Sequence, residues 1–112
     1  MQMRQSHTAI IERNVEWRGD FSLEPYEAAW ATEALYFVRA LEAEGLTDDI
    51  VARVQISPDG IQWCDEGTEL PIPNEPGLSF CRLTQFGGWL RAVGSLPDGA
   101  RLKVIVYLVL KE

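Results

Sequence analysis

The side chains able to do chemistry are few: one histidine, two cysteines and several knots of carboxylates. Nucleophilic catalysis needs a nucleophile, a base and a group that orients the base. His7 is the only histidine, it lies in a polar N-terminal stretch, and no GxSxG motif is present. No catalytic residue is therefore assigned, and the chain reads as a non-enzyme. Asp65, Glu66 and Glu69 are close in sequence, as are Asp48 and Asp49. Paired acids of this kind do glycosidase work only across a cleft. Both groups fall in turn-like segments, where solvated carboxylates are the rule. Asp59, Asp65 and Glu66 are weak calcium candidates, since adjacent hairpin loops can gather oxygen ligands, although nothing like a calcium-binding loop is present. Gly87-Gly88 is too short to cradle a phosphate. No cofactor is expected.

Cys64 and Cys81 are seventeen positions apart and form no CxxC pair. With no signal peptide, two buried free thiols are expected, and a bridge between neighbouring strands is the alternative. Zinc lacks ligands, because His7 is remote from both. Four tryptophans are a heavy load for this length. Trp30 and Trp63 are expected to bridge layers of the core. Trp89, after Phe86-Gly87-Gly88, and Trp17 stay open between core and display, and with Arg91 they form the candidate ligand-binding set, a glycan being the ligand that exposed tryptophans would stack on.

A chain of 112 residues with 46% hydrophobic content supports one core. The net charge of −7, with ten scattered Lys/Arg, disfavours nucleic acid and anionic membrane surfaces. The first residues lack the apolar region of a signal peptide, and no run is long enough for a membrane helix, so a cytoplasmic or virion-associated location is expected.

The elements that must position these residues read mostly as strands. Ile50, Ala52, Val54 and Ile56 alternate with polar neighbours, and Ser57-Pro58-Asp59-Gly60 supplies turn chemistry. Ile61 and Trp63 resume the alternation, which makes a β-hairpin closed by a second turn at Asp65–Thr68. Residues 1–8 are expected to be flexible, with a single domain over 9–112 and a first strand from Ala9 to Trp17. Residues 24–44 fit either a helix, with an apolar stripe from Leu23 to Leu41, or strands; extended structure is favoured for Ala34–Leu41. Three prolines make 69–77 a surface connection or an edge-hugging segment. Leu78–Thr84 and Trp89–Val93 alternate as strands. Arg101–Leu110 is the longest, and from Val104 it is apolar on both faces, as a central strand with cover on each side would be. That cover is either the rest of the chain or another copy of it.

Short strands with Gly/Pro turns between them predict an all-β protein, a single antiparallel β-sandwich with jelly-roll-like topology. At VQISPDGIQW, with the later Trp89–Val93 strand and the long final strand, the chain resembles small sandwich domains of phage virion and tail-associated proteins. That resemblance implies a structural or assembly role and a multimer. More weakly, the same residues resemble the discoidin-like, galactose-binding-like jelly roll, which implies a carbohydrate-binding module. The expected function is a structural domain that forms a homo-oligomer, with Ile105, Tyr107 and Val109 as its interface.

Overall fold

The turn at Ser57–Gly60 folds the chain back near its midpoint, and the two halves then pair outward from it. In the computed structural model, which describes residues 5–46 and 49–112, the strands are β1 (Ser6–Trp17), β2 (Asp20–Ser22), β3 (Tyr26–Glu27), β4 (Glu33–Glu44), β5 (Ile50–Ser57), β6 (Cys64–Ile72), β7 (Gly77–Thr84), β8 (Trp89–Ser95) and β9 (Arg101–Lys111). β5 pairs with β6, β4 with β7, β2 and β3 with β8, and β1 with β9, all antiparallel. This nested ribbon is rolled so that β9 also joins β4 and β8 also joins β5. Sheet one then runs β1-β9-β4-β7, and sheet two runs β2-β8-β5-β6, with β3 also on β8. Nested pairing closed into two sheets is a jelly roll.

The core lies between the sheets and follows from period-two alternation. On β9, Leu102, Val104, Val106, Leu108 and Leu110 are buried, and they meet Ala52 and Val54 of β5, Leu70 of β6, and Leu90 and Ala92 of β8 in one cluster. Tyr36 of β4 is fully buried, and its hydroxyl has no hydrogen-bond partner among the described residues. Leaving such a donor unmade costs about 1–3 kcal/mol, which the surrounding apolar burial offsets.

Several expectations are corrected. Among the described residues there is no helix, and 33–44 form one strand, longer than the expected Ala34–Leu41. β4 is sandwiched between β7 and β9, and this pairing on both edges overrides the helical propensity of its alanines and glutamates. β1 begins at Ser6, three residues inside the segment expected to be flexible, because Ser6, His7 and Thr8 pair with Lys111, Leu110 and Val109. β6 continues through the expected second turn as a bulge, its register on β5 shifting between Asp65 and Glu69 with Gly67 at a φ of 109°, and then into the proline-rich stretch. It is an edge strand, so Pro71 needs no second ladder partner.

The expected interior positions of Trp30, Ile61, Trp63 and Cys64 also change, Trp63 being half-buried outside the core. Trp30 is 42% exposed and Ile61 79% exposed. Asp59 Oδ1 accepts the amides of Ile61 and Gln62, each at 2.9 Å, so the turn extends past Ile61 and the second strand begins only at Cys64. Cys64 is then exposed; only Cys81 is buried, and both are free.

Candidate functional site

Register collects on one surface what the sequence scatters. Counting across sheet one, Ile10 of β1 pairs with Tyr107 of β9, Tyr107 with Phe37 of β4, and Phe37 with Phe80 of β7. These four side chains face away from the core, because their neighbours in each strand are the core residues. Ile10 and Phe80 are each 44% exposed, and the Phe37 and Phe80 rings lie 5.8 Å apart. Val109 and Leu35 form the row on one side of them, and Ile105, Arg39 and Leu78 the row on the other. The three interface candidates, Ile105, Tyr107 and Val109, thus sit together in the middle of an apolar band. Their inner-face neighbours are dry, while they themselves stay half-exposed.

The band has a charged frame. At one end Arg101 donates to Glu16 at 3.0 Å and to Glu44 at 2.8 Å, and Lys103 lies 3.6 Å from Glu42. The hydrogen bonds from Arg101 hold the Glu44 carboxyl below its usual range. Glu16 is lowered as well, first by Arg18 and then by Arg101. Arg82 stands over the Phe80 ring at 5.1 Å, a cation–π contact that covers one edge of the band. Among the described residues, Arg13, Arg39 and Arg82 have no carboxylate partner. Cations are thus concentrated on this face of an otherwise acidic protein.

Only part of the expected ligand set is brought together: Trp89 and Arg91 stand two residues apart on the outward side of β8, while Trp17 lies in the core. Trp17 is 4% exposed and stacks on Phe21, ring centroids 4.0 Å apart and planes 6° from parallel. Trp17 lies on the inward side of β1 with Ile11 and Val15, opposite Leu102, and the two bulges of the strand, one of them at Asn14 with φ of 55°, leave that alternation unchanged at its end. Trp89 is half-buried and lies over the midpoint turn, its ring 3.2 Å from where a Cβ on Gly60 would stand. Gly60 has φ of 79°, so the turn needs glycine both for its backbone and for this close approach. Arg91 points outward from sheet two. Its guanidinium lies 4.4 Å from the centroid of Trp63, and its Nε donates to Gln55 at 2.8 Å. Gln55 donates in turn to Asp65, which also receives Arg53 at 3.1 Å. Sequence reasoning missed the Trp63–Arg91 pair, because the two residues are 28 positions apart and only the pairing of β6 and β8 to either side of β5 brings them together.

The calcium candidates are each occupied locally. Asp59 closes its own turn, and the backbone amides it accepts hold its carboxyl below the usual range. Asp65 is held by Arg53 and Gln55, and Glu66 accepts the amide of Thr68 at 2.9 Å. Among the described residues, no three His, Cys, Asp or Glu side chains gather as a metal site would require. Asp48 lies outside the described residues. No helix among the described residues is long and apolar enough to cross a membrane.

No protein-family model matches the sequence, and no curated protein matches it. Among solved structures, one titled "Crystal Structure of FLHE" is similar at a TM-score of 0.42 and 18% identity, covering 97% of this chain and 94% of that one. A likeness at that level carries no inference about function.

The two thiols differ in a way that a titration will show. Burial pushes the Cys81 thiol up to about 11, and it lies in the core beside Tyr36. Cys64 is exposed, with its sulfur 3.8 Å from the Ile56 carbonyl. At about pH 8 the native protein is expected to release one equivalent per chain with a disulfide reagent, and two in denaturant. Two fast equivalents in the native state would contradict the placement of Cys81.

Proposed function

We propose that the domain is a non-enzymatic structural or assembly unit that pairs with a second copy of itself through the outer face of sheet one. The observation that carries this reading is the row Ile10–Tyr107–Phe37–Phe80, which spans all four strands and stays exposed in the single chain. Contiguous apolar area of this kind, rimmed by charge, marks an interaction surface rather than an ordinary solvated face. The half-exposed side chains of β9 gain the cover that a central strand with two apolar faces calls for. The resemblance to multimeric virion sandwich domains points the same way.

The test is the mass in solution, by light scattering on a sizing column at two concentrations. A discrete multiple of 12.6 kDa is expected. A monomer at both concentrations would sink the reading.

The competing reading, a carbohydrate-binding module, loses Trp17 to the core and Trp89 to the turn it covers. Its remaining support is an open groove of about 790 Å³ on sheet two, which Arg53, Glu69 and Arg91 line. A glycan screen on the monomer is the experiment that would revive it.

A further inference from the structure

The outward column of β9 reads Arg101, Lys103, Ile105, Tyr107, Val109, Lys111, and the column of β4 paired to it reads Glu44, Glu42, Arg39, Phe37, Leu35, Glu33. Three cations on one strand stand beside three acids on the other, with the apolar residues of both between them. We propose that two copies pack sheet one against sheet one about a two-fold axis parallel to the strands and midway between β4 and β9. This inference rests on the self-association reading above and adds its geometry.

A two-fold axis in that position lays β9 of each copy over β4 of the other, and β1 over β7. Each outward residue of β4 and β9 then meets, across the interface, the chemistry of its own in-sheet partner, while on the flanks Arg13 lies over Leu78 and Arg82 over Thr8. Tyr107 lies over the second copy's Phe37, Val109 over Leu35, and Ile10 over Phe80. Lys103 lies over Glu42, Lys111 over Glu33, and Arg101 over Glu44. The stem of Arg39 covers Ile105, as an arginine on an apolar surface does.

Other placements fail on charge or on area. An axis across the strands through Tyr107 would set Lys103 against Lys111 and Glu42 against Glu33, like on like. An axis between β1 and β9 would leave β4 and β7 with nothing opposite them. Aligned sheets cross by about 30°, so the outer charged rows are offset, and the long Lys and Glu stems span that offset. Four strands and five rows make a face of roughly 600 Å² before side-chain relief is counted. That approaches the ~800 Å² per partner of a stable association. β1 is no competing attachment edge, because two bulges interrupt it.

The experiment reverses one charge pair. K103E and E42K are made singly and studied alone and as an equimolar mixture, with light scattering for mass and thermal unfolding for the fold. The in-chain Lys103–Glu42 pair is 3.6 Å long and exposed, and reversing one member sets like charges on directly opposite residues, so each single variant is expected to stay folded with an unfolding temperature lowered by a few degrees. Each variant alone is expected to associate at least tenfold more weakly than wild type, roughly, since like charges then face each other twice. The mixture is expected to recover wild-type mass. In a mixed pair the K103E position of one chain faces the E42K position of the other, again opposite in charge, and the unchanged Lys103 and Glu42 meet at the second contact. A purely in-chain role cannot be rescued by mixing. The pair K111E and E33K serves as the second test should either first variant fold poorly. A monomeric wild type overturns the self-association reading and this geometry with it. A dimeric wild type whose variants stay dimeric, or whose mixture stays monomeric, overturns the geometry alone.

Discussion

Gly94→Ala is expected to lower stability by about 3 kcal/mol, at the upper end of what overpacking a core costs. Phe21 pairs with Gly94 across β2 and β8, and its ring lies directly on the glycine. A Cβ added there would stand 2.6 Å from Cζ of Phe21 and 3.0 Å from Cε1. The new methyl group meets the Cζ end of the ring, and face-to-face stacking on Trp17 at 4.0 Å holds that ring in place. An aromatic side chain covering a glycine in the facing strand is a recognised way to pin register, and here it also locks the end of β1 to sheet two. For a domain of this size the loss corresponds to roughly 10 °C or more in Tm. The check is a denaturation series on Gly94→Ala, Phe21→Leu and the double variant. The double variant should cost less than the sum of the two singles, because shortening Phe21 makes room for the new methyl group. A Gly94→Ala protein within about 0.5 kcal/mol of wild type, the range of ordinary surface changes, would refute the contact.

What is legible in the sequence depends on how local the cause is. The alternation of 50–57, 78–84 and 101–110 is local, and the strands there follow it within about a residue. The all-β class and the jelly-roll order follow from those strands and the turns between them. Residues 24–44 are undecided from sequence because their local signal favours a helix, while the outcome is set by β7 and β9, some forty and seventy positions further on. Trp63 and Cys64 are misplaced for a different reason. The Asp59 carboxylate holds two amides beyond the turn, so the loop consumes residues whose spacing imitates a strand. Trp17 falls on the dry side of the first strand with Ile11 and Val15 by alternation alone, but its stacking partner Phe21 lies beyond the strand's end and is not read from that pattern. The candidate face shows the same division. Ile105, Tyr107 and Val109 are visible as one strand's second apolar side, but Ile10, Phe37 and Phe80 join them only through register across three pairings.

That division bears directly on Tyr107→Glu, which tests the pairing proposed above and is expected to abolish that proposed self-association while the chain stays folded. Tyr107 occupies the centre of the apolar row, between Ile10 and Phe37, and it points away from the core. In the single chain its ring is half-exposed, so a glutamate there is hydrated and costs the fold little. Across the proposed interface the same carboxylate would be desolvated against the second copy's aromatic row, at a cost that Arg13 and Arg39 in the neighbouring row offset only in part. Two-fold symmetry makes the change twice per dimer. At about 2 kcal/mol for each central aromatic lost, the combined effect is about 4 kcal/mol, or roughly a thousandfold in Kd. Sedimentation equilibrium on wild type and variant measures this, and a thermal melt verifies folding. Phe80→Glu, on the edge strand β7 and 44% exposed, is the control that perturbs the fold least; it should weaken association by less than the central change. Exposed apolar residues outside the band, such as Ile61 in the midpoint loop, should tolerate glutamate without any change in mass. If Tyr107→Glu and Ile61→Glu leave association equally intact, the face on sheet one is not where the copies meet.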